Sequence, residues 1–286
     1  MGAPNVYGNW GKVLNQGFEV TLNWSDKMGD FGYHIGSNVT LLKNEVKDLN
    51  GLAFIATGTP EFPTREEVGQ PLDYFYGYQV VGVYQTAAEV AADPIAVANG
   101  VRPGYLKYKD QNNDKVLNES DKVMLGNYLP KVTYGFDLGL DYKNIDFGIM
   151  FQGQAGNSIL NMNRARRLWY SDMNGDAKLV TNLWTGSGSS NTNPSAYATT
   201  QGWNNQASSF FVEKGSYIRI QNIQLGYNFN VGSTASPVKC RLFVTADRPA
   251  IFTNYNGFTP EISGKGYDTN TYPAAATYSI GCKITY

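Results

Sequence analysis

Apolar and polar positions alternate along several stretches of this chain, most clearly where it stops. Ala276, Tyr278, Ile280, Cys282, Ile284 and Tyr286 alternate with Thr277, Ser279, Gly281, Lys283 and Thr285, the period of two required by a strand with one apolar face. Upstream, Phe18, Val20, Leu22 and Trp24 alternate with Glu19, Thr21, Asn23 and Ser25. After the turn DKMGD, Phe31, Tyr33, Ile35, Val39 and Leu41 alternate with Gly32, His34, Gly36, Asn38 and Thr40. Together these predict a hairpin. VTYGFDLGLDYKNIDFGIMFQG predicts a second, with Val132, Tyr134, Phe136, Leu138, Leu140 and Tyr142 on one face and Thr133, Gly135, Asp137, Gly139 and Asp141 on the other. It turns at Lys143–Asn144 and returns through Ile145, Phe147, Ile149 and Phe151. A third runs through IQLGYNF, turns in NVGSTASPV and returns as CRLFVTA. Apolar parity switches from Ile218 and Ile220 to Ile223, Leu225 and Tyr227, which predicts a bulge near Gln221–Asn222.

The strands therefore fall at 17–25, 31–42, 131–142, 144–156, 217–230, 239–252 and the C-terminal stretch, separated by long polar stretches at 43–130, 157–210 and 253–275. Short turns alternating with long loops are the arrangement of outer-membrane barrels. The alternative is a soluble β-sandwich with one apolar face per strand. Aromatics near strand ends (Trp24, Phe31, Tyr142, Tyr227, Phe229, Tyr278, Tyr286) and Gly, Asn, Asp and Lys on the opposite faces suit an interfacial girdle and a wet lumen. With Tyr286 on the periplasmic side, all three tight turns fall there and the long stretches become extracellular loops. PLDYFYGYQVVGVYQ has apolar residues on both faces, so it is placed as a hairpin or small sheet inside the 43–130 loop.

Composition agrees, since 31 Gly, 20 Tyr and 14 Phe beside 16% charged residues describe aromatic-rich β structure with many turns. A formal net charge of −1 and the lack of a basic cluster argue against nucleic acid as a partner. No run of 18 or more apolar residues occurs, which excludes a membrane helix but not a barrel. MGAPNVYGNWGK has neither a cationic start nor an apolar core, so it is not a signal peptide. About seven strands cannot close a barrel, whose strand number is even from eight upward, and an open edge in lipid leaves unpaired backbone groups. The expectation is a C-terminal piece of a longer protein, with Met1 an internal methionine or a start artefact.

The segments GKVLNQGFEVTLNW, GQPLDYFYGYQVVGVYQT, DQNNDKVLNESDKVMLGNYLPKVTYGFDLGLDYKNIDFGIMFQG, FVEKGSYIRIQNIQLGY, IFTNYNGFTPEIS and the terminal strand resemble the C-terminal part of SusC/RagA-type TonB-dependent outer-membrane transporters of Bacteroidetes, in family order and over most of the chain. The resemblance implies an all-β fold, about seven membrane strands of a 22-stranded barrel, with an N-terminal plug lying outside this chain. It also implies a SusD-like lipoprotein lid, energy from a TonB–ExbB–ExbD complex, and uptake of glycans or peptides. The terminal Tyr286 would be part of the signal read by the barrel-assembly machinery. ADRPAIFT departs from the family's usual Gln-Asn-Leu-like run before the phenylalanine, so that corner is expected to pack differently. The runner-up is a secreted soluble β-rich module that binds carbohydrate without transport.

Two segments carry candidate sites. In DQNNDKVLNESD, Asp110, Asn112, Asp114, the Val116 carbonyl, Asn118 and Asp121 occupy positions 1, 3, 5, 7, 9 and 12 of a calcium loop, although Lys115 stands where glycine makes the sharp turn and Asp121 replaces a bidentate Glu; a polar extracellular turn is the alternative. Calcium apart, no cofactor is required. The 157–210 loop carries Arg164, Arg166, Arg167, Trp169, Tyr170, Trp184, Tyr197 and Trp203 among Asn, Ser and Gly, a mixture that suits sugar rings and hydroxyls; packing of the loop or contact with the lid protein are the alternatives. Cys240 and Cys282 are expected to point outward on neighbouring strands, either as a disulfide or as small apolar residues. Catalysis has little support: His34 is the single histidine, no zinc spacing or nucleophile motif occurs, and Asp137, Asp141 and Asp146 read as polar lining rather than paired acids.

Overall fold

The computed structural model describes residues 11–169, 177–196, 202–232 and 238–286. One antiparallel sheet dominates it. Its seven strands are β1 (Lys12–Met28), β2 (Phe31–Asp48), β3 (Val132–Tyr142), β4 (Ile145–Ala155), β5 (Tyr217–Val231), β6 (Val238–Thr253) and β7 (Thr277–Thr285), and they pair in chain order, each with the next. These are the strands read from alternation, with β1 and β2 longer by several residues and β3 to β6 within one residue of the expected bounds at each end. β1 runs on to Met28, so Trp24 lies inside the strand rather than near its end, its indole N–H donating to the Tyr33 hydroxyl at 3.1 Å.

Register puts the apolar residues of all seven strands on one face: Trp24, Ile35, Leu138, Ile149, Ile223, Ala246 and Tyr278 form one cross-strand row. The expected bulge lies at Gln221, where the β4–β5 register skips from Met150↔Asn222 to Phe151↔Ile220 and so returns Ile220 and Ile218 to the apolar face. On β6 the same row is absorbed around Arg248, which has φ +53°.

Little covers this apolar face. Phe18 is 77% exposed, Val244 48% and Ile280 82%, and the residues that are buried lie elsewhere. Soluble proteins seldom expose a continuous apolar patch beyond several hundred Å². The other face is mostly polar. His34 Nε2 lies 2.6 Å from Asp137 Oδ2, and the two side chains lie against the backbones of Gly139 and Gly36, where a Cβ would collide with them. Asp146 accepts from Arg241 Nε at 3.0 Å and from Asn228 Nδ2 at 2.8 Å, so Asp137 and Asp146 each have a partner on this face, while Asp141 stands directly across from Asp146 in the β3–β4 register.

At one end of the sheet the strands meet in short turns at Gly29–Asp30 and Lys143–Asn144; most of the third turn, 233–237, lies outside the described residues. At the other end the three long stretches are folded together. Rather than polar loops, they form a head with its own core, in which Phe62, Phe75, Tyr78, Leu106, Tyr108, Leu160, Met162, Phe210 and Phe211 pack together, with a second cluster of Tyr84, Ala96, Val101 and Tyr105. The head contains a four-stranded sheet (Phe54–Gly58, Pro63–Glu67, Tyr74–Tyr78, Lys122–Gly126), a pair (Val80–Val83, Leu106–Tyr108) and a three-stranded sheet (Ser158–Asn161, Val212–Lys214, Tyr267–Asp268). PLDYFYGYQVVGVYQ accordingly supplies two short strands in two different sheets of the head.

Candidate functional site

A cavity of about 560 Å³ opens in the head, walled by three segments distant in sequence. The first is the end of strand Ser158–Asn161 and the helix Met162–Trp169, which begins where the Asn161 side chain accepts from Arg164 N at 2.9 Å, an N-capping bond. The second is the stretch from Asn182 to Asn193, in which the Ser190 hydroxyl accepts from Asn193 N at 3.1 Å and the Asn191 side chain accepts from Val83 N at 3.1 Å. The third is Asn256, Gly257 and Phe258, the last 62% exposed.

Glu213, on strand Val212–Lys214, ties the walls together. Its Oε1 accepts from Asn161 Nδ2 at 2.9 Å and its Oε2 from Asn256 N and Nδ2 at 2.9 and 2.8 Å. Arg164 Nη1 lies 3.7 Å from the same carboxylate, Arg164 Nη2 donates to Asn193 Oδ1 at 2.8 Å, and the guanidinium stacks over the Phe210 ring at 3.8 Å. The charge of Glu213 is thus spent on holding the cavity together. Its lining is mostly amides (Asn163, Asn182, Asn191, Asn193), hydroxyls (Ser189, Thr192), guanidinium groups and one exposed ring, of which the Asn193 amide and the Ser189 hydroxyl also bond within the head. Such a surface exchanges hydrogen bonds with hydroxyl or amide groups and offers an apolar plate to a ring or side chain.

Of the residues expected to bind ligand, Arg164 and Arg167 line this cavity. Trp184 and Trp203 do not. Trp184 packs against the head's core and donates to Gln85 Oε1 at 3.1 Å; Trp203 packs tilted against Tyr108 with ring centres 5.1 Å apart and donates to the Leu106 carbonyl at 2.7 Å. The side chain of Trp169, and Tyr170 and Tyr197 entirely, lie outside the described residues. Glu213, Asn256 and Phe258 escaped sequence reading because they enter from other segments; the asparagine-rich strings NMN, SSNTN and NYNG were the available signal.

The 110–121 loop is folded around its own backbone. Asp110 accepts from the amides of Asn113 and Lys115, Asn112 from Asp114, Asp114 from Val116, Asn118 from Ser120, and Asp121 from Gln111 and Asn118. Lys115 has φ +66°, the left-handed turn that glycine makes in a calcium loop. Among the described residues, no group of three or more His, Cys, Asp or Glu is arranged to hold a metal ion. Cys240 and Cys282 are free thiols, on the apolar face, and Tyr286 ends the chain fully exposed.

No protein-family model matches the chain. It is 28% identical over 295 residues to TonB-dependent receptor P26 of Formosa agariphila, covering 97% of this chain and 30% of that protein. With TonB-dependent receptor SusC of Bacteroides thetaiotaomicron it shares 26% over 294 residues, 97% of this chain and 27% of that one. Among solved structures, the RagAB peptide importer in its open-open state superposes with a TM-score of 0.73 at 21% identity, over 96% of this chain and 29% of that chain, a likeness of fold. The chain thus spans about three-tenths of the length of the proteins it matches, and over nearly its whole length it is similar to TonB-dependent receptors of the SusC/RagA type.

Proposed function

We propose that this relative of the SusC/RagA-type receptors is the C-terminal barrel portion of a TonB-dependent outer-membrane importer. The apolar face of the sheet meets lipid, the polar face lines the lumen, the short turns are periplasmic and the head is extracellular. The observation that carries this is the seven-stranded sheet whose apolar face is left uncovered while its core-forming residues sit in a head at one end. Dimensions agree. On β2 the apolar positions run from Phe31 to Leu41, roughly 33 Å of strand, and at a barrel tilt of about 40° this gives a band about 25 Å tall, the height of the lipid-facing girdle. The next residues on that face are Lys43, Glu45 and Lys47, paired with one another, a charged strip where the band ends.

β1 and β7 are the free edges of the sheet, and in lipid each needs a partner strand. Those partners would come from the rest of the longer protein, closing a 22-stranded barrel around a plug. In this reading the amide-rich cavity is part of an external vestibule for glycan or peptide, a SusD-like lipoprotein closes over it, TonB–ExbB–ExbD supplies energy through parts beyond this chain, and Tyr286 serves the assembly machinery. Substrate is moved and no covalent bond changes, so the protein is not an enzyme. The test is made on the full-length protein. It should stay in the envelope fraction until detergent is added, and should capture oligosaccharide or peptide only with its lipoprotein partner; monodisperse release into plain buffer would favour a secreted carbohydrate-binding module instead.

A further inference from the structure

We infer that Arg219 and Glu261 are positioning residues for the head cavity, holding its Asn256–Phe258 wall to the polar face of the sheet. The inference rests on the cavity being the ligand site. The stretch that follows β6 supplies that wall, and three residues beyond Phe258 it reaches the sheet. There Glu261 Oε1 ion-pairs with Arg219 Nη1 on β5 and lies 3.4 Å from the Tyr217 hydroxyl, while Arg219 Nη2 donates to Gln152 Oε1 on β4 at 2.8 Å. On its cavity side the same stretch is held by Glu213 through Asn256, and further along by Lys265 Nζ, 2.8 Å from Asp73 Oδ2. Glu261 therefore lies between two anchors in the head and gives this wall a second attachment to the sheet, on the far side from β6, whose Thr253 hydroxyl donates to the Ser216 carbonyl at 3.0 Å.

The fastening sits at an irregular place. Arg219 is two residues from the Gln221 bulge, and both Arg219 Nε and Gln221 Oε1 are buried with no hydrogen-bond partner among the described residues. Buried polar atoms are ordinarily satisfied, and bulges are where a strand re-aims its side chains. Here the bulge sets the register that directs Arg219 toward Glu261 and Gln152 on the polar face, at the cost of two unsatisfied atoms. That arrangement has a use if the wall it holds must stand at a fixed place relative to the lumen.

Hydrogen exchange on the full-length protein in detergent tests this. Glu261→Gln, which keeps the shape and removes the charge, should raise exchange at the amides of 256–258 by about tenfold, as should Arg219→Glu, with no change at Leu138–Leu140 on β3. The reversed pair, Arg219→Glu with Glu261→Arg, should bring the rate back. High salt should speed exchange at 256–258 in the parent protein and not in Glu261→Gln. Unchanged rates in Glu261→Gln, or a reversed pair as fast as the single variants, would overturn the inference; if Arg219→Glu does not assemble, Glu261→Gln decides alone. Neither result touches the membrane reading, which rests on the apolar face.

Discussion

Single residues here mark where local geometry was chosen against local preference. Lys115 is held at φ +66°, a conformation that costs a side-chain-bearing residue roughly 1 kcal/mol and glycine little. Lys115→Gly should therefore raise the stability of the head by up to about 1 kcal/mol, less what glycine gains in the unfolded chain; a thermal unfolding shift in the full-length protein reads it, and no shift or a fall would mean that the lysine side chain contributes more than its backbone costs. The glycines on the polar face act differently. Gly36 and Gly139 make room for Asp137 and His34 to lie flat, so alternation identified their face but not the close approach that requires them.

At the scale of elements, each strand of the sheet was legible because one face had to be apolar, and a one-residue slip would reverse every side chain. Even the bulge showed as a parity switch at Gln221. The head was not legible in this way. Its strands are two to five residues long, too short for a period to emerge, and their apolar residues meet across three separate segments. Local signals did exist and went unread: Thr86 accepts from Glu89 N at the start of helix Ala87–Ala92, and Asp93 caps Pro94–Ala98 with proline in its first turn, both recognised helix starts. Of the cavity, the two arginines were readable and the organising Glu213 was not. The alternation also makes a paired prediction on β6. Val244→Arg puts a charge at mid-height on the apolar side and, with that side in lipid as proposed, should cost about 2–4 kcal/mol of barrel stability, seen as loss of heat-resistant folded protein in the outer membrane; Thr245→Arg, one residue on and facing the polar side, should assemble normally. Equal tolerance of both would remove the distinction between the faces.

The whole molecule divides into a sheet whose apolar face is left uncovered and a head that buries its own core, and the head carries a liability of its own. Burial pushes the Tyr78 hydroxyl up to about 12 from its ordinary 10.0, with Glu119 adding to the effect, and raises Tyr84 and Tyr255 further, helped by hydrogen bonds to Asp93 and Asp268. Tyr108 moves in the same direction, chiefly by burial. A raised pKa on an acid means that the folded state keeps protons the unfolded state gives up, so this stability is whole below pH 10 and is lost as pH rises through the tyrosine range. Tertiary circular dichroism of the head should collapse from about pH 10 upward, less steeply in Tyr84→Phe; a flat profile to pH 12 would mean that these hydroxyls reach water.

The central claim, that one face of this sheet meets lipid and the other a wet lumen, is tested most directly on β6 in the full-length protein. Spin labels placed singly from Arg241 to Ala246 in reconstituted vesicles would be exposed to oxygen, which partitions into lipid, and to a water-soluble nickel chelate. The account predicts strict alternation, with Leu242, Val244 and Ala246 reached by oxygen and Arg241, Phe243 and Thr245 by the chelate. Labels at Leu242, Val244 and Ala246 shielded from both reagents, or reached only by the chelate, would contradict it.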